Sequence, residues 1–149
     1  SIIPNLLVDG IVEAIRRSSA LKIYVCNVMT QEGETEGYTA SDHIAAIFQH
    51  SAPGLFSLCL ANSAPIPADA AARYAGEGAE PLCCDTERCE RLGVEVVRRP
   101  VAMVEGGYVR HQPDDLAREL IALHAGRSVR IAGARFSPRG GNYRMEHRG

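Results

Sequence analysis

No apolar run in this chain of 149 residues approaches the ~20 residues that a membrane-spanning helix needs, and no positively charged leader precedes an apolar signal core. The expectation is a cytoplasmic protein with no membrane span. Cysteine is sparse and odd in number: Cys26, Cys59, Cys83, Cys84 and Cys89 lie mostly in or beside apolar runs at irregular spacing, which fits buried thiols better than a disulfide framework. No second C-x-x-C knuckle completes a four-ligand zinc set, and the adjacent Cys83 and Cys84 would point to opposite faces of a strand. No Ser or Cys stands on a nucleophile elbow, and His43, His111 and Asp42 have no acid–base partner fixed by local spacing. Catalytic residues are therefore not assigned, and no internal repeat is present.

Charge is unevenly distributed. The net charge is −2, yet Arg127, Arg130, Arg135, Arg139, Arg144 and Arg148 against Glu146 give the last segment +5 and leave −7 for the rest. A basic segment can touch nucleic acid, but one with only Phe136 and Tyr143 as aromatics reads as a poorly ordered tail over residues 126–149, which argues against a nucleic-acid partner. The preceding 1–125 have the length of one ordinary domain with its own core. The chain opens on Ser1 and an apolar, Pro-containing helix entry, and is expected to be a segment of something longer.

Apolar positions from Asn5 to Ser18 follow a helical period, with Pro4 at a helix start. Leu21 to Val25 is a strand buried on both faces, followed by a helix entered through Thr39, Ser41 or Asp42 and ended by Pro53-Gly54. Leu55 to Leu60 is the next strand, Ala70 to Tyr74 a short helix, and Pro81 to Cys84 a third extended piece. A helix over Thr86 to Leu92 closes at Gly93, Val94 to Val97 is extended, and a last helix runs from Pro113 to near Gly126. This alternation predicts a Rossmann-like layered α/β fold with a mostly parallel sheet.

Between the first strand and its helix lies the most polar stretch, Cys26-Asn27-Val28-Met29-Thr30-Gln31-Glu32-Gly33-Glu34-Thr35-Glu36-Gly37-Tyr38-Thr39. A loop leaving the carboxyl end of such a strand sits where α/β proteins bind ligands. Asn27 offers donors and an acceptor to a base or sugar, or bonds its own turn, and Thr30 has the same dual reading. Free N–H groups at the following helix start would attract phosphate. The loop has no Lys or Arg, so a cation must come from elsewhere. Glu34 and Asp42 could hold Mg²⁺, with a solvated acidic loop as the alternative. Arg110, after the extended Glu105-Gly106-Gly107-Tyr108-Val109, could fork onto phosphate or form a surface ion pair. Tyr74, just before Gly76-Glu77-Gly78, could lie flat on a base or be a half-buried core aromatic.

The polar loop, with Ser1 to Leu7, Tyr74-Ala75-Gly76-Glu77-Gly78-Ala79-Glu80-Pro81 and Glu105-Gly106-Gly107-Tyr108-Val109-Arg110-His111, resembles the YvcK-like gluconeogenesis-factor family of the CofD-like group. The resemblance implies that the chain is roughly the C-terminal half of the family fold, its sheet incomplete at the N-terminal side. It implies a regulatory protein that binds UDP-N-acetylglucosamine and links gluconeogenic growth to cell-envelope synthesis and cell shape. Tyr74 and Arg110 match the family's ligand-contacting positions, and Asn27 and Thr30 match residues that line the site. No cofactor is required for that role, and a homo-oligomer is compatible with it. The CofD side of the group implies the alternative, a phospholactyl transferase assisted by Mg²⁺. Some relatives carry a phosphorylatable Thr just after the Arg-His pair, where this chain has Gln112-Pro113, which argues against that regulation here.

Overall fold

The computed structural model describes residues 2–131. Its elements in chain order are α1 (Ile3–Leu6), α2 (Ile11–Arg17), β1 (Ile23–Val25), α3 (Ala40–Gln49), β2 (Leu58–Asn62), α4 (Ala68–Gly76), α5 (Thr86–Arg91), β3 (Glu95–Arg99), β4 (Ala102–Glu105), β5 (Tyr108–His111) and α6 (Pro113–Ile131). Strands β1, β2 and β3 form one parallel sheet in that order, with Tyr24, Cys59 and Val96 in register. The α/β class and the parallel sheet follow the sequence expectation. The central strand β2 is buried over Leu58 to Ala61, which is why its sequence is an unbroken small and apolar run.

One sheet face carries Tyr24, Cys26, Cys59 and Ala61, and they form a single core cluster with Ala40, Ile44 and Ile47 of α3 and Cys89 of α5. The i, i+4, i+7 spacing of Ala40, Ile44 and Ile47 turns one stripe of α3 onto the strands. Phe56 bridges Tyr24 and Phe48, at ring-centroid distances of 5.5 Å and 4.9 Å.

Four expected elements differ. The first helix is two, because Gly10 adopts φ +82° at the start of α2, a left-handed conformation that interrupts a right-handed helix. The extended piece 81–84 stays outside the sheet and makes isolated bridges, Met29 with Pro81 and Thr39 with Cys83. The extended run Glu105 to Val109 is instead centred on the turn of an antiparallel hairpin, β4–β5, which reverses at Gly106 (φ +56°) and Gly107 (φ +84°). Two successive positive φ values suit a two-residue hairpin turn, and glycine reaches them without a Cβ clash. Finally, α6 passes through Gly126 to Ile131, since a single helical glycine costs only about 1 kcal/mol. Most of the basic tail, residues 132–149, lies outside the described residues.

Candidate functional site

The polar loop is held by a strap, residues 80–85. Thr30 is buried, its N–H donates to the Glu80 carbonyl at 2.8 Å, and its Oγ1 accepts the Glu80 N–H at 2.9 Å. The same hydroxyl donates to that carbonyl at 3.3 Å. Leu82 N–H donates to Val28 and Ala40 N–H to Cys83, each at 2.9 Å. Thr30 thus closes the loop onto the strap. Within the loop, Thr35 Oγ1 accepts the Gln31 N–H at 2.9 Å, and Gly33 and Gly37 take positive φ. Opposite, Gly78 lies against Glu32, where an added Cβ would come within 3.0 Å of Glu32 Cγ.

The start of α3 is filled from within the chain. Thr39 is its N-cap in a capping box with Asp42, whose Oδ2 accepts the Thr39 N–H at 2.9 Å. Asp85 Oδ1 accepts the Ser41 N–H at 2.9 Å, and its Oδ2 accepts the Ser41 hydroxyl at 2.6 Å. With Ala40 N–H on Cys83, Asp42 N–H on Thr39 Oγ1 at 3.4 Å and His43 N–H on the Thr39 carbonyl at 3.2 Å, the first turn has no N–H left for a phosphate. The expected anion site at this helix start is therefore occupied by the chain's own carboxylate.

Thr39 Oγ1 stands between two carboxylates, 2.8 Å from Asp42 Oδ2 and 3.0 Å from Asp85 Oδ2, and Arg88 reaches both acids, at 3.3 Å and 3.4 Å. Hydrogen bonds from the Thr39 backbone and hydroxyl hold Asp42 below the usual carboxylate range. Burial pushes Asp85 the other way, but the bonds from Ser41 and Thr39 outweigh it and its net shift is also downward. Both acids are charged at neutral pH and already coordinated by donors. Among the described residues no group of three His, Cys, Asp or Glu could hold a metal ion. Asp42 is engaged by Thr39 and Arg88, and Glu34 is exposed on the loop.

Next to this network, His43 is buried against the edge of Tyr38, with ring centroids 5.5 Å apart, and its Nε2 has no hydrogen-bond partner among the described residues. Burial lowers its pKa, so the ring is neutral. Under α3, the neighbouring Cys26 thiol and burial push Cys59 far up, while burial pushes Cys89 up to about 12. Both remain protonated thiols.

The hairpin is attached differently. Helix α4 supplies two consecutive residues: Arg73 Nη1 donates to the Gly107 carbonyl at 2.7 Å, and the Tyr74 hydroxyl accepts the Val109 N–H at 3.0 Å. At its far end, His111 Nε2 lies 3.1 Å from the Cys26 carbonyl, which can only accept, so this nitrogen carries the proton. Val109 and His111 face inward, and Tyr108 and Arg110 alternate outward. The Arg110 guanidinium lies over the Tyr108 ring, 5.7 Å from its centroid, and forms no ion pair among the described residues.

These bonds link the strand that carries Arg110 to the Tyr74 side chain and to the carbonyl that precedes Asn27. Asn27 follows the carbonyl bonded by His111, Tyr74 bonds Val109, and Arg110 lies between those two hairpin residues. The Asn27 side chain is exposed and makes no hydrogen bond among the described residues, while Thr30 is turned into the strap. Asp85, Arg73 and Arg88 carry much of this geometry and were not singled out from the sequence. For Asp85 the available signal is an acid directly before the helix Thr86–Arg91, but its carboxylate goes to a different helix.

Residues 1–102 match the family model described as 2-phospho-L-lactate transferase CofD. The chain belongs to the CofD family. It is similar to the gluconeogenesis factor of Halalkalibacterium halodurans, 42% identical over 121 residues that cover 81% of this chain and 38% of that protein. It is 41% identical to the gluconeogenesis factor of Bacillus subtilis over 83% of this chain and 39% of that one. A putative gluconeogenesis factor from Nostoc is 44% identical over 85% of the chain and 28% of the relative. The crystal structure of a Bacillus halodurans protein, 42% identical, superposes on it with a TM-score of 0.78, covering 81% of this chain and 39% of that one. The chain thus spans about two-fifths of the length of the first two relatives. No helix among its described residues is long and apolar enough to cross a membrane.

Proposed function

We propose that this member of the CofD family is part of a cytoplasmic sensor that binds a nucleotide sugar, UDP-N-acetylglucosamine, and relays gluconeogenic growth to cell-envelope synthesis and cell shape. The observation that carries the reading is the hairpin β4–β5, bonded on one side by Tyr74 and on the other to the carbonyl preceding Asn27, with Arg110 between. An outward guanidinium without an ion-pair partner among the described residues suits a diphosphate, and a nearby carboxamide suits a sugar or base edge. The similarity to gluconeogenesis factors supports the physiological side. Binding needs no cofactor from this chain.

Isothermal titration calorimetry of the intact protein with UDP-N-acetylglucosamine tests the reading. Binding that Arg110→Ala weakens by tenfold or more is expected; no heat, or an unchanged Kd in the variant, overturns it. A second reading, transfer of a phospholactyl group from a nucleotide-activated donor to a deazaflavin alcohol, is favoured by the description of the family model. Turnover of such a donor by the intact protein would establish it.

A further inference from the structure

We propose that Arg73 is a positioning residue for Arg110, acting through the hairpin turn; this role rests on the nucleotide-sugar reading above. Arg73 Nη1 donates to the Gly107 carbonyl at 2.7 Å. The turn is shaped to receive it. Gly107 holds φ +84°, and a Cβ there would run into Arg73 Nη1, so only glycine lets the guanidinium approach this closely. The next residue is Tyr108, whose ring lies under the Arg110 guanidinium. A short chain of contacts therefore runs from α4 through the turn and one aromatic ring to the cation. Tyr74, beside Arg73 on α4, holds Val109 and so fixes the strand between turn and cation. With the carbonyl of Gly107 and the N–H of Val109 both held from one helix, the outward direction of Tyr108 and Arg110 is set by α4. Loss of the Arg73 bond frees the turn and lets the guanidinium sample orientations that miss a bound anion.

The arrangement separates positioning from direct contact in a double-mutant cycle on the intact protein. UDP-N-acetylglucosamine affinity is measured by calorimetry for the parent, Arg73→Ala, Arg110→Ala and the double variant, with thermal melting of each. The expected result is a three- to tenfold weakening by Arg73→Ala when Arg110 is present, no further weakening when Arg110 is absent, and partial recovery in Arg73→Lys. Equal weakening in both backgrounds means that Arg73 touches the ligand itself and overturns the positioning role; so does an unchanged affinity. No heat with the parent overturns the nucleotide-sugar reading and this role with it, an outcome distinct from either. Should Arg73→Ala melt early, Arg73→Met, which keeps much of the apolar stem and has no donor, replaces it in the cycle with the same expectations.

Discussion

The end of the polar loop with the start of α3, from Thr30 to Asp42, and the hairpin β4–β5 both gather polar side chains, but they differ in what those groups are bonded to. In the loop the donors and acceptors find each other: Thr30 closes on Glu80, Thr39 and Ser41 on Asp85, Asp42 on Thr39 and Arg88. In the hairpin the backbone is held, by Arg73, Tyr74 and His111, while the outward side chains of Tyr108 and Arg110 meet mainly each other. A crowd of polar residues therefore marks two different things. Internally satisfied, it is a structural joint that welds a loop to a sheet; with its backbone anchored and its side chains outward, it presents chemistry to a ligand. A capping box and a bonded carboxylate leave a helix start no capacity for a phosphate, however favourable its dipole.

The joint and the hairpin also differ in how much of the fold depends on each. The deepest reference point is the sheet: Leu60→Ala, at a fully buried position of β2, should cost about 2–5 kcal/mol in chemical denaturation, because a cavity remains under closely packed strands. Asp85→Ala should follow at about 1–3 kcal/mol, since it leaves the buried Ser41 N–H and hydroxyl without their acceptor. If Asp85→Ala melts like the parent, the joint is not structural and the contrast with the hairpin collapses.

The two regions were unequally legible in the sequence. The run Leu58 to Leu60 has the uninterrupted apolar character of a central parallel strand, and Thr39 with Asp42 has the spacing of a capping box, so sheet and helix entry follow from local chemistry. Asp85 was not legible because its partners lie 44 residues away, and no local rule connects a helix-preceding acid to another helix's start. Arg73 was hidden for the same reason, its acceptor standing 34 residues on. The hairpin is less legible: Glu105 to Val109 reads as one extended run, whereas Gly106-Gly107 inside it is the turn and the two strands lie on either side.

Acid should distinguish the regions as well. His43 is buried and neutral with its pKa lowered, so protonation favours the unfolded chain. Its contribution is intact above the unfolded value of about 6.5 and is lost as pH falls toward the folded one, by at most about 1.4 kcal/mol per pH unit. Asp42 and Asp85, also lowered, add a second loss only as pH falls below about 4, the unfolded carboxylate value. Urea denaturation between pH 7 and 3 should show the upper step in the parent and lose it in His43→Phe, which keeps an aromatic edge for Tyr38. A His43→Phe profile that overlays the parent would assign the upper step elsewhere.

On the hairpin the effects are smaller and more local. Tyr74→Phe removes the acceptor of the Val109 N–H and should cost about 1 kcal/mol, with hydrogen exchange at the Val109 amide accelerated and exchange in β2 unchanged. Equal acceleration in both places would mean that the hairpin and the sheet open together.

Arg110→Ala should have the least effect on the fold, within about 0.5 kcal/mol of the parent. Its guanidinium meets one exposed ring and no acid among the described residues, so its removal orphans no buried group. A stability loss comparable to that of Asp85→Ala would place Arg110 among the joints, as a cation the fold itself requires. An unchanged melting curve together with lost nucleotide-sugar affinity would identify a side chain whose interactions are completed by a ligand, which is the property that separates the hairpin from the loop.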